Sequence, residues 1–192
     1  MGLKNSHFVN TNGLPVAEHY SCAYDIGMIC RQLMTYEFAR DWFTAWQEDI
    51  KVGLPGKEKD FTLTNTNKMI RTYKGAIGGK TGFTQDAGYC LAEAAQRDST
   101  RMIAVVLGCK DSKVRFAETA RLLDHGFASY ETVPVAKKGQ KLRTITLPKS
   151  DQQEVAAVPE ETIAATVKKG KKANITKKIS IDKSVACPVK KG

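Results

Sequence analysis

The sequence predicts an α+β fold: an antiparallel sheet flanked by helices, followed by a small all-β domain. Three observations carry this expectation. Two strand-like runs, residues 87–95 and 101–109, are joined by Gln96-Arg97-Asp98-Ser99-Thr100, a hairpin-sized connection. Helix-periodic segments lie before and after them. The composition then changes near Pro134: residues 1–133 hold 16 basic and 15 acidic side chains, whereas residues 134–192 hold 14 and 5. Two regimes meeting at a proline predict two domains, 1–133 and 134–192, the second strongly basic and incomplete as a β domain.

Taken in order, Phe8-Val9-Asn10-Thr11-Asn12-Gly13-Leu14-Pro15 reads as a turn-rich loop, since Asn-Gly and Leu-Pro both interrupt regular structure. A helix follows, with Cys22, Ile26, Ile29, Cys30 and Leu33 at helical spacing, Ser21 as its cap and Asp25 at the positive end of its dipole. A second helical segment, residues 36–48, places Phe38, Trp42, Phe43 and Trp46 on one side and predicts core aromatics. Residues 53–56, containing Leu54-Pro55, form a loop. Phe61-Thr62-Leu63-Thr64 alternates like an edge strand, and residues 65–73 read as a helical turn. A further helix over residues 113–130 carries Phe116, Ala120, Leu123 and Phe127 on one face. Beyond Pro134, residues 142–147, 163–167 and 175–181 alternate like strands.

Composition excludes several classes. At 26% charged and 8% aromatic, the chain is neither wholly disordered nor collagen-like. The longest unbroken apolar stretch, residues 102–107, is too short for a membrane-spanning helix, and Met-Gly-Leu-Lys-Asn-Ser carries no export signal. The five cysteines, at 22, 30, 90, 109 and 187, include no C-x-x-C pair and no histidine at ligand spacing, so no metal or other cofactor is expected. Their odd number predicts buried free thiols. The basic C-terminal region suits phosphate- or carboxylate-bearing partners or simply a solvated face. It lacks the interleaved aromatics of a nucleic-acid surface, and no nucleic-acid partner is expected.

The chemistry concentrates in Gly75-Ala76-Ile77-Gly78-Gly79-Lys80-Thr81-Gly82-Phe83-Thr84, which precedes the two long strands. An edge strand can lay its backbone beside an extended peptide. Gly82 lets an acyl group come close, Thr81 offers a hydroxyl to a carboxylate, and Lys80 supplies positive charge and proton transfer. The Phe83 backbone N–H lies where a developing oxyanion needs a donor. A Lys-Thr-Gly strand is one element of the penicillin-binding proteins and β-lactamases.

The surrounding segments resemble the D-alanyl-D-alanine carboxypeptidases, the serine-type low-molecular-mass penicillin-binding proteins of peptidase family S11. Phe8 to Pro15 is similar to that family's F-x-N-x-x-G-L segment, and His19-Tyr20-Ser21-Cys22-Ala23-Tyr24-Asp25 to its loop leading into a helix. Asn65-Thr66-Asn67-Lys68-Met69, Lys80-Thr81-Gly82-Phe83-Thr84, Ala87-Gly88-Tyr89-Cys90-Leu91, Arg101-Met102-Ile103-Ala104-Val105-Val106-Leu107-Gly108 and Leu122-Leu123-Asp124-His125-Gly126-Phe127 follow in the family's order. The resemblance implies part of a β-lactamase/transpeptidase-like fold followed by the family's β-rich C-terminal domain. It implies removal of the terminal D-Ala from peptidoglycan stem peptides through a serine acyl-enzyme, in the cell envelope or at a membrane surface, with β-lactam antibiotics as ligands of the full-length protein. Lys80 and the Phe83 N–H take catalytic roles, while Thr81, Gly82, Thr84 and Arg115 bind substrate, a forked guanidinium matching a planar carboxylate.

Two departures qualify this reading. The family's nucleophilic S-x-x-K and its S-x-N are not in register: the single S-x-x-K is Ser180-Ile181-Asp182-Lys183, on a polar strand-like segment, and S-x-N does not occur. The chain is therefore expected to carry half of an active-site wall, to lack the nucleophile and to be inactive alone, with apolar surface exposed. A non-catalytic wall-peptide-binding scaffold is the alternative. Gly79 stands where the family has an aliphatic residue, which predicts a looser strand. A Ser-His-Asp triad is not expected, because Asp124 and His125 are adjacent on a helix ending near Gly126, and His7 and His19 are loop residues without a spaced carboxylate.

Overall fold

A computed structural model describes residues 1–146, 154–171 and 175–180. Contacts divide the chain into two units, Met1–Ala128 and Ser129–Gly192.

The first unit opens with a loop pinned by a backbone bridge between His7 and Tyr20. Helix α1, Ala23–Leu33, is capped by the Cys22 sulfur, which accepts from the Asp25 N–H at 3.5 Å. Ser21, the expected cap, instead meets the Ser6 hydroxyl at 2.8 Å. Asp25 is buried and accepts from the Asn5 N–H and the Ser6 hydroxyl, so hydrogen bonding, Ser6 foremost, holds its carboxyl below the usual range. Helix α2, Glu37–Thr44, is shorter than expected, and residues 47–52 are the strand β1, Gln47–Val52. It pairs antiparallel with β2, Lys59–Thr64, in a ribbon exposed along both strands. Of the α2 aromatics Phe43 packs on the core, but Trp42 is 72% exposed and Phe38 52%. Eight residues give the helix one narrow buried face, and Ala39 with Phe43 occupies it, leaving Phe38 and Trp42 edge to face outside.

After the short helix α3, Met69–Thr72, come β3, Ala76–Thr84, β4, Gly88–Arg97, and β5, Thr100–Cys109, forming one antiparallel sheet in the order β3-β4-β5. The β4–β5 turn is tighter than expected, because Arg97 already faces Thr100 and Asp98 takes a left-handed φ of 52°. Alternation along the central strand feeds two cores. Leu91 and Ala95 pack with Met69, Ala104, Val106, Leu123 and Phe127; Ala92 and Ala94 pack with Cys30 and Met34 of the first helical layer. Helix α4, Ser112–Ser129, supplies Leu123 and Phe127 and passes Gly126 without ending. Its Asp124 accepts from the Tyr73 hydroxyl at 2.7 Å and from Arg97 at 3.0 Å, while the Arg97 guanidinium lies over the Tyr73 and Phe127 rings. Burial, and then that bond, pushes the Tyr73 phenol up to about 12. Tyr73→Phe is expected to lower stability by about 1 kcal/mol, read from the urea midpoint.

In the second unit β6, Tyr130–Ala136, pairs with β9, Ile163–Lys168, and β7, Arg143–Thr146, with β8, Glu154–Ala157. Pro134 sits inside β6, and the register shifts between Pro134 and Ala136, as a residue without an N–H requires. Residues 175–180 form no strand, and all but Ile175 are exposed: alternation creates a strand only where a partner takes up its backbone groups. Ile181 lies outside the described residues, as do Asp182 and Lys183 of the S-x-x-K, and Ser180 therefore stands in irregular backbone. Among the described residues no helix is long and apolar enough to cross a membrane.

Candidate active site

The site forms where β3 ends the sheet. Among the described residues β3 has β4 as its one hydrogen-bonded neighbour, so its other border is open. Strand alternation turns Lys80 and Gly82 to the outer face and Thr81, 9% exposed, to the inner one; Phe83 shares the Thr81 face but lies nearer the strand end and is exposed. The Thr81 hydroxyl meets that of Thr66 at 2.7 Å, which fixes it in place, and the Lys80 ammonium donates to the Thr81 carbonyl. A cavity of about 820 Å³ lies against this border, and its wall includes Lys80, Thr81, Gly82, Phe83, Thr84 and Arg115. The six positions singled out in the sequence thus share one wall.

Arg115 is not a surface residue. It lies on the first turn of α4 and is 6% exposed. Its guanidinium donates to the Gly82 carbonyl at 3.3 Å, the Cys90 carbonyl at 3.4 Å and the Ser112 hydroxyl at 3.4 Å, and it lies over the Phe116 and Tyr89 rings. Its Nε has no partner. Burial draws its pKa down, yet a guanidinium keeps its charge, so the wall holds a fixed cation with an unused donor beside the strand. Such an arrangement is chemically suited to an anion, and Thr81 lines the same wall.

Gly79 is the opposite of loose. It is buried, and a Cβ there would drive into the Ala92 carbonyl and the Glu93 carboxylate. At Gly82, by contrast, the nearest atom to an added Cβ is the Cys90 Cβ at 3.9 Å. One glycine therefore permits close strand packing and the other keeps the surface open.

Sequence reasoning assigned no role to Thr66, to the loop residues Asn12, Gly13 and Leu14, or to Cys90, all of which line the cavity. Each lies in a segment similar to one of the carboxypeptidase family, but nothing local signals that residues far apart in the chain meet here. The histidines serve elsewhere: His7 Nδ1 lies 2.6 Å from the Glu18 carbonyl, His19 Nδ1 accepts from the Val9 N–H, and His125 is exposed. The cysteines at 22, 30, 90 and 109 are free thiols; Cys187 lies outside the described residues. Among the described residues no cluster of side chains is suited to a metal ion.

Comparison with known proteins gives a consistent result. Residues 1–111 match the family profile of D-alanyl-D-alanine carboxypeptidase, and residues 130–192 that of the C-terminal domain of penicillin-binding protein 5. The chain is 35% identical to D-alanyl-D-alanine carboxypeptidase DacF of Bacillus subtilis over 193 aligned residues, covering 100% of this chain and 49% of the relative. With DacC of Escherichia coli the identity is 29%, covering 100% and 47%. Among solved structures, penicillin-binding protein 5 of Haemophilus influenzae superposes with a TM-score of 0.68 at 27% identity, covering 90% of this chain and 48% of the other. The Streptomyces K15 DD-transpeptidase superposes with 0.62 at 32%, covering 66% and 49%. The chain spans about half the length of the curated relatives it matches.

Proposed function

Because the chain belongs to the D-alanyl-D-alanine carboxypeptidase family, we propose that it forms the carboxylate-binding wall of an enzyme that removes the terminal D-Ala from peptidoglycan stem peptides outside the cytoplasm. The observation that carries the reading is the meeting of Lys80, Thr81 and the buried Arg115 on one cavity wall beside an open strand border. The stem peptide lies extended along β3, with its terminal carboxylate against Arg115 and the Thr81 hydroxyl.

A serine oxygen bonds to the penultimate carbonyl carbon, whose oxygen takes up negative charge against the Phe83 N–H. The C–N bond then breaks, D-Ala leaves as the amine with a proton passed through the network that includes Lys80, and water hydrolyses the ester. In β-lactams the same attack opens the ring and leaves the acyl group on the serine. The serine is not supplied in register by these 192 residues, which contain no S-x-N and carry their S-x-x-K at Ser180. The 192-residue chain accordingly binds a D-Ala-D-Ala peptide without hydrolysing it. The scaffold reading differs from this one at a single point: there the whole protein also fails to hydrolyse.

Titration of the chain with diacetyl-L-Lys-D-Ala-D-Ala tests the wall. Binding is expected, and Arg115→Met is expected to weaken it by about 10- to 100-fold, the value of hydrogen bonds to a charged group. No binding by the unaltered chain, or equal binding by Arg115→Met, refutes the reading. Release of D-Ala by the chain alone refutes the placement of the nucleophile.

A further inference from the structure

Behind the open border sits a carboxyl that the reaction above does not use. Glu93 lies on the central strand β4, within an otherwise apolar run, and is 0% exposed. Its Oε2 accepts from the side-chain amide of Asn67 at 2.6 Å, and its Oε1 has no partner. It faces Gly79 across the sheet, filling the space that a side chain there would need, and the backbone N–H of Gly78 lies close to it. Both of its neighbours lead to the site. Asn67, itself buried, follows Thr66, whose hydroxyl holds that of Thr81, while Gly78 and Gly79 run directly into Lys80.

We propose that Glu93 is a positioning residue: wedged between Asn67 and the Gly78-Gly79 pair, its carboxyl sets where the Lys80-Thr81-Gly82 ribbon lies, and its charge state is transmitted to that ribbon. Two features of the geometry support this. Glycines at 78 and 79, the first with a left-handed φ of 115°, bring bare backbone against Phe43 at one residue and against the Ala92 carbonyl and the Glu93 carboxyl at the next, and of these supports the carboxyl alone can change its charge. A buried carboxylate with one oxygen lacking a donor is also costly, so gain or loss of a proton changes which contacts it prefers.

Burial raises the Glu93 pKa to about 7, against which the Asn67 and Gly78 donors act, so both forms are populated near neutrality. The groups around it leave the titration to Glu93. Gly79 from β3, Ala104 from β5 and Asn67 are uncharged. The Cys30 thiol of α1 is pushed up to about 11, by burial first and Glu93 second, and stays protonated. As pH rises through about 7 the carboxyl loses its proton and a negative charge appears behind the ribbon. The ribbon moves, and a terminal carboxylate on its front is held less well. This last consequence rests on the function proposed above; the movement of the ribbon does not.

The test is to follow the backbone amide resonances of residues 78–82 in the 192-residue chain from about pH 5 to pH 9, without ligand and then with diacetyl-L-Lys-D-Ala-D-Ala. The amides are expected to titrate together with a midpoint near 7, and the affinity to fall severalfold across that midpoint. Glu93→Gln should leave both flat. Glu93→Asp, which keeps a shorter carboxyl, should restore the titration with a displaced midpoint. Amides that do not titrate in the unaltered chain overturn the inference whether or not any variant folds, as does a titration that persists in Glu93→Gln. Titrating amides without peptide binding at any pH leave the positioning role intact and defeat the proposed function instead.

Discussion

On the function proposed above, Lys80→Ala is expected to lower the rate of covalent penicillin labelling of a protein that joins this chain to the missing serine by about 10²- to 10⁴-fold, the range for loss of a positioned acid–base group. The side chain is exposed at the open border of β3, makes one hydrogen bond, to the Thr81 carbonyl, and belongs to neither core. Its removal therefore leaves the melting temperature nearly unchanged, which separates lost chemistry from lost structure. Lys80→Arg does not restore the rate, because a guanidinium keeps its proton and cannot pass one on. A time course with a fluorescent penicillin reads the effect directly, and labelling at the original rate would remove Lys80 from the mechanism.

Gly79→Ala produces the largest structural effect. The added carbon would meet the carbonyl oxygen of Ala92 and the carboxylate and backbone of Glu93, all on the central strand. The carboxylate could swing aside, but the Ala92 carbonyl and the Glu93 backbone cannot, so β3 must lift from β4, at a cost of roughly 3 kcal/mol or more. Three residues on, Gly82→Ala meets nothing closer than 3.9 Å. It is expected to change stability by less than about 0.5 kcal/mol while weakening peptide binding, since the new methyl stands on the surface a ligand approaches. Urea denaturation of the two variants side by side checks the contrast; equal losses would mean that the strands are not packed as described.

The contrast also shows how much was legible in the sequence. The β4–β5 hairpin was, because both strands are long apolar or alternating runs and their connection is local. The Lys-Thr-Gly strand stands out by the chemistry of its residue types and Arg115 by the family resemblance, and the structure brings them to one cavity wall. The resemblance to the carboxypeptidases named the family on the order of its segments. The reason for Gly79 was not legible: it lies in the Glu93 carboxyl, which in turn answers to Asn67, 26 residues away. The one available signal was a glutamate flanked by alanines in a buried strand. Phe38 and Trp42 of α2 misled, while Phe43 did not, because periodicity reports which residues share a face and not how much of that face finds a partner. Residues 175–180 misled for the same reason, since among the described residues their alternation has no neighbouring strand to pair with.

Sheet borders left bare are where proteins polymerise, one copy zipping its main chain onto the next, and positive charge is a common guard against it. At β3 the guards are Lys80, standing on the strand, and Arg115, set just behind it. Two molecules meeting border to border would press like charges together. The cations proposed to hold an anionic peptide tail would thus also turn away a second sheet, and neutralising either is expected to lower solubility as well as recognition.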